Sequence, residues 1–420
     1  MSEVIGYTHG RGGRVPDRQN LRMTLDTPTT PTPLDGLKPD YAGGGIVNLM
    51  ASIIQARGGR SDYSQLSLMP AGELARATNI LLLVIDGLGA DWLAEHSPQG
   101  ILRRHQVGTM TTVFPSTTAT AITSFLTGDG PLQHGLTGWY TWFAELACVM
   151  TVLPGVPRYG GVPYRKAGID ARRLFGHRCV FERIRTRSLV VSPNRIARSD
   201  FNLAHTGQAQ VLPYADLADL FRQSARALRR DRVPKYVYCY WPDLDSIGHH
   251  QGMGSAAATA HLQRIEQALT DFLVTAAGTD TLVLVTADHG QVDTGPDDLI
   301  DLADHPGLAD CLSLPLCGEP RAAFCYLRAG REAAFLDYCR GPLGGLVNLY
   351  SSRDLVDGGY FGLGAPHPRF NERIGDYCLL PRGRRILRQL LPFEQPKILI
   401  GQHGGLSRTE LLVPLCVLRA

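Results

Sequence analysis

NILLLVIDG, residues 79–87, is the stretch on which the fold turns. Its apolar residues run continuously rather than alternating with polar ones. That pattern suits a strand buried on both faces of a parallel sheet. It ends on an acid and a glycine, Asp86 and Gly87. Open α/β sheets bind ligands at the carboxyl ends of their strands, so Asp86 stands at the edge where chemistry is expected.

The same design recurs along the chain. YVYCYW (236–241) is followed by Asp243 and Asp245, TLVLVT (281–286) by Asp288 and His289, and KILI (397–400) by His403. Between these runs lie helical stretches at 215–229 and 256–277, the latter with Leu262, Ile265, Leu269, Phe272 and Leu273 at helical spacing. A first short helix is expected at 48–55. Strands alternating with helices predict an α/β fold, a doubly wound and mostly parallel sheet with helices on both faces.

Two regions break the rhythm. Residues of about 139–200 are aromatic and arginine-rich, and those of about 303–395 are dense in Gly and Pro and include the strand-like AAFCYLR. Both are read as insertions forming a cap over the carboxyl edge. Residues 1–42, rich in Thr and Pro, are read as an extended arm, and 43–420 as the catalytic domain.

Composition sets the class. With 44% apolar and 19% charged residues over 420 positions, the chain has ample core. A net charge of +3 without any block of like charge gives no reason to expect nucleic-acid scaffold binding. The nine cysteines are odd in number and include no C-x-x-C pair, which argues against a zinc ribbon and for reduced, buried thiols. The N-terminus has no apolar core of a signal peptide, and no apolar run reaches the ~18 residues of a membrane span. A cytoplasmic protein without a membrane partner is expected.

The residues at the strand ends form a constellation. Asp86 stands in VIDGLG, Asp245 and His249 lie four apart in DSIGH, Asp288 and His289 are adjacent in TADHG, and His403 stands in GQHGG. His249 fits the Asp-to-His spacing better than His250, and Asp245 better than Asp243. Divalent ions such as zinc take imidazole nitrogen and carboxylate oxygen, and three protein ligands leave an ion open for catalysis. Six donors therefore suit two ions. Two metals about 4 Å apart can clamp the entering and leaving oxygens of a displacement at phosphorus.

A nucleophile is supplied by VFPSTTATAITSFLTGDGPLQHG, residues 113–135. It offers four hydroxyls, Ser116, Thr117, Thr118 and Thr120, at the start of an apolar-spaced helix. Taken alone, such hydroxyls are ordinary helix caps. Beside six metal-ligand types they stand where a helix N-terminus attracts an anion.

Together these strings resemble the alkaline phosphatase superfamily, and within it the type I phosphodiesterase / nucleotide pyrophosphatase branch. The likeness is carried by VIDGLG, PSTTATAITSFLTG, PLQHG, DSIGH, TADHG and HGGLSRTELLVPL, spread from about residue 78 to the C-terminus. It implies Thr118 as the nucleophile, three residues after Pro115 and nine before Thr127 of the Thr-Gly turn, over Ser116 and Thr117. It implies one metal held by Asp86, Asp288 and His289 with Thr118, and a second held by Asp245, His249 and His403. Zinc is the first expectation, manganese the second. It also implies a phosphothreonine intermediate and a small phosphate ester or nucleotide as substrate.

One position departs from that branch. Five residues after His134, where the branch carries an asparagine that donates to a phosphoryl oxygen, this chain has Trp139. Another donor is then needed, and a backbone N–H after Thr118 or the hydroxyl of Thr137 is the candidate. Trp139, Tyr140, Trp142 and Phe143 would stack on a base or ring or, as the more frequent use of such residues, pack the cap onto the core. The leading expectation is a phosphodiesterase or nucleotide pyrophosphatase. A phosphomonoesterase or phosphonate hydrolase on the same site is the close alternative, and a catalytically silent binding protein the alternative of another class. A phosphoglycerate-mutase-like isomerase is disfavoured by the threonine pattern, and a sulfatase by the lack of any C-x-P-x-R string.

Overall fold

The structure, a computed structural model, describes residues 36–397 and 399–420. Most of the expected arm, residues 1–35, therefore lies outside the described residues. Residues 36–42 are irregular chain held to the body, with the Leu37 N–H donating to Leu406 O at 2.9 Å and the Tyr41 hydroxyl to Tyr360 O at 3.0 Å.

The strand predicted from NILLLVIDG is Asn79–Ile85, buried at every position. It runs parallel to Lys235–Trp241 on one side and Thr281–Thr286 on the other, which is why its apolar run is continuous. The full sheet has seven strands in the order Gln106–Thr111, Leu412–Arg419, Thr281–Thr286, Asn79–Ile85, Lys235–Trp241, Arg187–Pro193, Gln210–Tyr214. Only Leu412–Arg419 runs antiparallel to its neighbours. The expected helices form at Ile46–Ala56, Leu217–Arg229 and Ala256–Ala276. Because the three central strands are adjacent and parallel, their C-terminal ends bring Asp86, Asp245 and the Asp288–His289 pair to one edge.

The sequence reading is corrected at two places. The run at 397–400 forms no strand among the described residues. The short strand there is Gly401–Gln402, paired antiparallel with Val292–Asp293 outside the central sheet. Apolarity alone misled, because a four-residue apolar run does not say which strand, if any, it will pair with. Second, Arg187–Pro193 falls inside the first expected insertion, yet it is a strand of the central sheet, parallel to both Lys235–Trp241 and Gln210–Tyr214.

A second seven-stranded sheet forms the cap, in the order Val347–Ser351, Tyr377–Pro381, Ala322–Cys325, Cys317–Glu319, Tyr140–Phe143, Cys148–Thr151, Val156–Pro157. The two insertions thus join one sheet, meeting where Gly318 lies opposite Tyr140. Two of the four aromatics at the start of the first insertion, Tyr140 and Phe143, pack under arginines. Phe143 is buried under the Arg373 guanidinium, and Tyr140 lies under that of Arg158. No helix among the described residues is long and apolar enough to cross a membrane.

Candidate active site

The hydroxyl-rich stretch forms the helix Thr118–Thr127, with Thr117 as its extended N-cap and Gly128 closing it at φ 76°. The four hydroxyls have separate fates. Ser116 Oγ donates to Gly405 O at 2.7 Å, and Thr117 Oγ1 to Glu319 Oε1 at 2.6 Å. Thr120 is fully buried. Thr118 alone of the four keeps partial exposure, and its Oγ1 lies 3.1 Å from His289 Nε2. Thr117 makes no side-chain cap to its own helix; its carbonyl accepts from the Thr120 N–H at 3.1 Å, while the N–H groups of Thr118 and Ala119 find no hydrogen-bond partner among the described residues.

Around Thr118 the donors converge. Asp86, Asp288 and His289 bring ligand atoms within 4.8 Å of one another, and so do Asp245, His289 and His403. His289 therefore faces both groups, and its ring stacks on that of His403 with centroids 3.9 Å apart. His249 stands beside the second group, with Nε2 3.3 Å from Asp245 Oδ2 and its ring 5.1 Å from that of His403.

The tautomers fix which atoms face inward. His289 Nδ1 lies 3.0 Å from Gly290 O, and a carbonyl only accepts, so Nδ1 carries the proton and Nε2 presents a lone pair. That lone pair faces Asp86 Oδ1 at 3.3 Å and Asp288 Oδ2 at 3.5 Å. His249 Nδ1 likewise donates to Gly401 O at 2.7 Å and turns Nε2 to Asp245. Asp86 Oδ1 and Asp288 Oδ2 are buried and lack a hydrogen-bond donor among the described residues. Lone pairs and carboxylate oxygens so gathered repel one another unless a cation lies among them, and the donor set fits divalent metal.

The electrostatics agree. Burial, then the neighbouring Asp288 and Asp245, push the Asp86 carboxyl well above the usual range, and burial with Asp245 raises Asp288 although His289 opposes it. Burial, with His289 and His249 beside it, holds His403 well below the usual imidazole range, in the neutral form that ligates.

Outer contacts aim the ligands. The Tyr240 hydroxyl donates to Asp86 Oδ2, and the Gln291 amide to Asp245 Oδ1. Asp288 Oδ1 accepts from the N–H groups of Gly87 at 3.2 Å and His289 at 3.0 Å. Such contacts fix the orientation of a metal ligand. Sequence reasoning missed Tyr240, Gln291 and Glu319. Tyr240 hides in an aromatic strand and Gln291 directly follows TADHG, whereas Glu319 sits in the cap, 202 positions from the Thr117 it contacts.

Two expected substrate contacts are placed differently. Thr137 is fully buried and its hydroxyl donates to Arg373 O at 2.9 Å. Its single proton is spent, so it is not a phosphoryl donor. The Trp139 N–H donates to Glu319 Oε1 at 2.6 Å, and the residue is 36% exposed.

The family model for type I phosphodiesterase / nucleotide pyrophosphatase matches residues 80–328, more than half of the chain. Among curated proteins no match is found. Among solved structures the chain is similar to murine ectonucleotide pyrophosphatase / phosphodiesterase 5, with TM-score 0.61, 15% identity, and 80% of this chain and 87% of that one covered. An inactive variant of the murine protein in complex with AMP gives TM-score 0.60 at 15% identity, with the same coverage of 80% and 87%. Phosphonoacetate hydrolase from Sinorhizobium meliloti in complex with phosphonoformate gives 0.58 at 18% identity, covering 80% of this chain and 89% of that one. At these identities the likeness to solved structures speaks for the fold.

Proposed function

This chain belongs to the type I phosphodiesterase / nucleotide pyrophosphatase family and is a hydrolase of phosphoric ester bonds, and from that premise we propose that it is a two-metal phosphodiesterase with Thr118 as nucleophile. The observation that carries this reading is the placement of Thr118. It is the hydroxyl, of the four at the helix start, that reaches both solvent and the Asp/His cluster, 3.1 Å from His289 Nε2.

Asp86, Asp288 and His289, together with Thr118, would hold one divalent cation, and Asp245, His249 and His403 a second. The mixed nitrogen and oxygen donors suit zinc, with manganese as the alternative. When bound, such ions supply positive charge against the charge that develops on the phosphoryl oxygens and the hydroxyl. The rest falls to the chain. The helix start holds Thr118 Oγ1 and presents uncapped N–H groups to a phosphoryl oxygen. The Oγ1–P bond forms as the P–O bond to the leaving alcohol breaks, that alcohol taking the proton from Thr118; water then breaks the Oγ1–P bond, which restores the Thr118 hydroxyl and releases the phosphate monoester.

A phosphate ester or nucleotide of low mass is the substrate in this reading. The likeness to phosphonoacetate hydrolase keeps phosphonates as the second reading. All nine cysteines are free and eight are buried, which supports a reducing, cytoplasmic setting. A panel of aryl mono- and diesters, nucleotides and phosphonates, run with zinc or manganese, tests the proposal. Diester turnover that disappears in Thr118→Ala supports it. Full turnover in that variant, or no turnover of any ester with either metal, overturns it.

A further inference from the structure

Among the described residues, Glu319 is the carboxylate of the cap that hydrogen-bonds the nucleophile loop. It is 7% exposed, at the end of the strand Cys317–Glu319. One of its oxygens, Oε1, accepts from the hydroxyl of Thr117, the residue before the nucleophile, and from the Trp139 N–H, both at 2.6 Å. On its other side lies Gly404, next to His403. A Cβ on Gly404 would come within 2.7 Å of Glu319 Cβ, at a backbone φ of 121° that itself favours glycine. The glycine after His403 thus makes room for the acid. Glu319 is wedged between the residue flanking the nucleophile and the residue flanking an expected metal ligand. Its second oxygen, Oε2, has no hydrogen-bond partner among the described residues.

This placement meets the departure at Trp139. Where the branch carries a neutral amide donor, this chain offers no such side chain, and the N–H of that residue is bound to an acid. Resting on the phosphodiesterase reading above, we propose that Glu319 is a specificity-determining residue that favours phosphate diesters, with one negative charge, over dianionic monoesters and phosphonates. Burial raises the Glu319 carboxyl to about 7, so in alkaline solution it is ionised, and there a second charge on the substrate adds repulsion against it. At an effective dielectric constant of about 20, one added charge about 12 Å away is worth about tenfold in relative rate. Near and above neutral pH a phosphate monoester carries that second charge, its second pKa being about 6.

The test compares kcat/KM for an aryl phosphate diester and the matching aryl monoester in alkaline buffer with saturating zinc. Glu319→Gln keeps an oxygen for Thr117 and Trp139 and removes the charge. It is expected to raise the monoester-to-diester ratio about tenfold. Glu319→Asp keeps the charge and shortens the reach, so it should slow both substrates and leave the ratio in place. An unmoved ratio in Glu319→Gln, or an equal rise in Glu319→Asp, overturns the proposal. A measurement on the unaltered protein stands apart from folding of the variants: the monoanion methyl methylphosphonate should inhibit diester turnover more tightly than the dianion methylphosphonate. Equal or reversed inhibition also overturns it. Thr118→Ala run in parallel separates the two levels. Lost turnover there with an unmoved ratio in Glu319→Gln removes only the role of Glu319, whereas full turnover there removes the phosphodiesterase reading and this inference with it.

Discussion

Thr118 and Tyr240 both touch the Asp/His cluster, and substitutions at each should separate chemistry from metal binding. Thr118→Ala removes the attacking oxygen but none of the carboxylates or imidazoles. Diester turnover should fall by about 10³-fold or more, the range seen when a nucleophile is deleted, while the fold and metal content persist. Thr118→Ser retains an oxygen at the same carbon and should keep measurable turnover. Steady-state rates beside metal content by atomic absorption check this, and a Thr118→Ala protein of unchanged rate would remove the nucleophile. Tyr240→Phe deletes only the hydroxyl that donates to Asp86 Oδ2. Removing an outer contact of this kind typically costs about 10–100-fold in metal affinity. Competition with a chromogenic chelator should show that loss in the first ion released, and unchanged affinity would mean that Asp86 needs no such aim.

At the scale of elements, two glycines decide whether the helix that carries Asp245 and His249 can meet the segment that carries His403. The helix Asp243–Gln251 and the strand Gly401–Gln402 approach so closely that a Cβ on Gly401 would lie 2.7 Å from Gly248 O and 2.0 Å from Gln291 Oε1. That approach lets His249 Nδ1 donate to Gly401 O and the Ile400 N–H donate to His249 O, both at 2.7 Å. Gly401→Ala must push the two segments apart, with an overpacking cost of about 1–3 kcal/mol. The expected result is a lower melting temperature and one ion fewer per chain by mass spectrometry under native conditions; unchanged values of both would show that the approach is not needed. None of this was legible beforehand. What could be read were features written locally: continuous apolar runs for strands buried on both faces, acids and imidazoles immediately after them, and a Thr-rich helix start. The strand Arg187–Pro193 was missed because SLVVSP is set among arginines, so that composition spoke for an insertion while pairing with Lys235–Trp241 decided for the sheet. The Thr117–Glu319 contact was missed for a different reason. Its partners lie 202 residues apart, and nothing local to either one announces the other.

For the whole molecule, the question is what keeps the cap sheet seated on the central one, since Glu319 reaches the nucleophile loop only while it is. One buried ion pair spans the two. Arg321, in the turn that follows Cys317–Glu319, donates through Nε and Nη2 to the two carboxylate oxygens of Glu410 at 2.6 and 2.8 Å. Glu410 belongs to the short helix Arg408–Leu411 that leads into the central strand Leu412–Arg419. It is fully buried and also accepts from the Gly405 N–H at 2.8 Å and Ser407 Oγ at 2.5 Å, while Arg321 Nη1 donates to Arg385 O at 2.8 Å. Burial pushes the Glu410 carboxyl up, but the Arg321 charge and these hydrogen bonds together outweigh it and hold it below its ordinary value of 4.5. A carboxyl lowered on folding contributes stability that is fully present above pH 4.5 and is lost as pH falls through its folded value. Breaking such a pair from one side leaves an uncompensated buried charge, at a cost of about 3–5 kcal/mol. Arg321→Met should therefore cost that much near neutral pH. Glu410→Gln should cost less than that near neutral pH, because its amide still accepts from Arg321, and its deficit against the unaltered protein should shrink as pH drops below 4.5, where the native carboxylate is itself being protonated. Urea unfolding of the three proteins between about pH 7 and pH 3 reads the difference directly. A gap between Glu410→Gln and the unaltered protein that stays constant over that range would mean that the ionised pair contributes nothing to seating the cap.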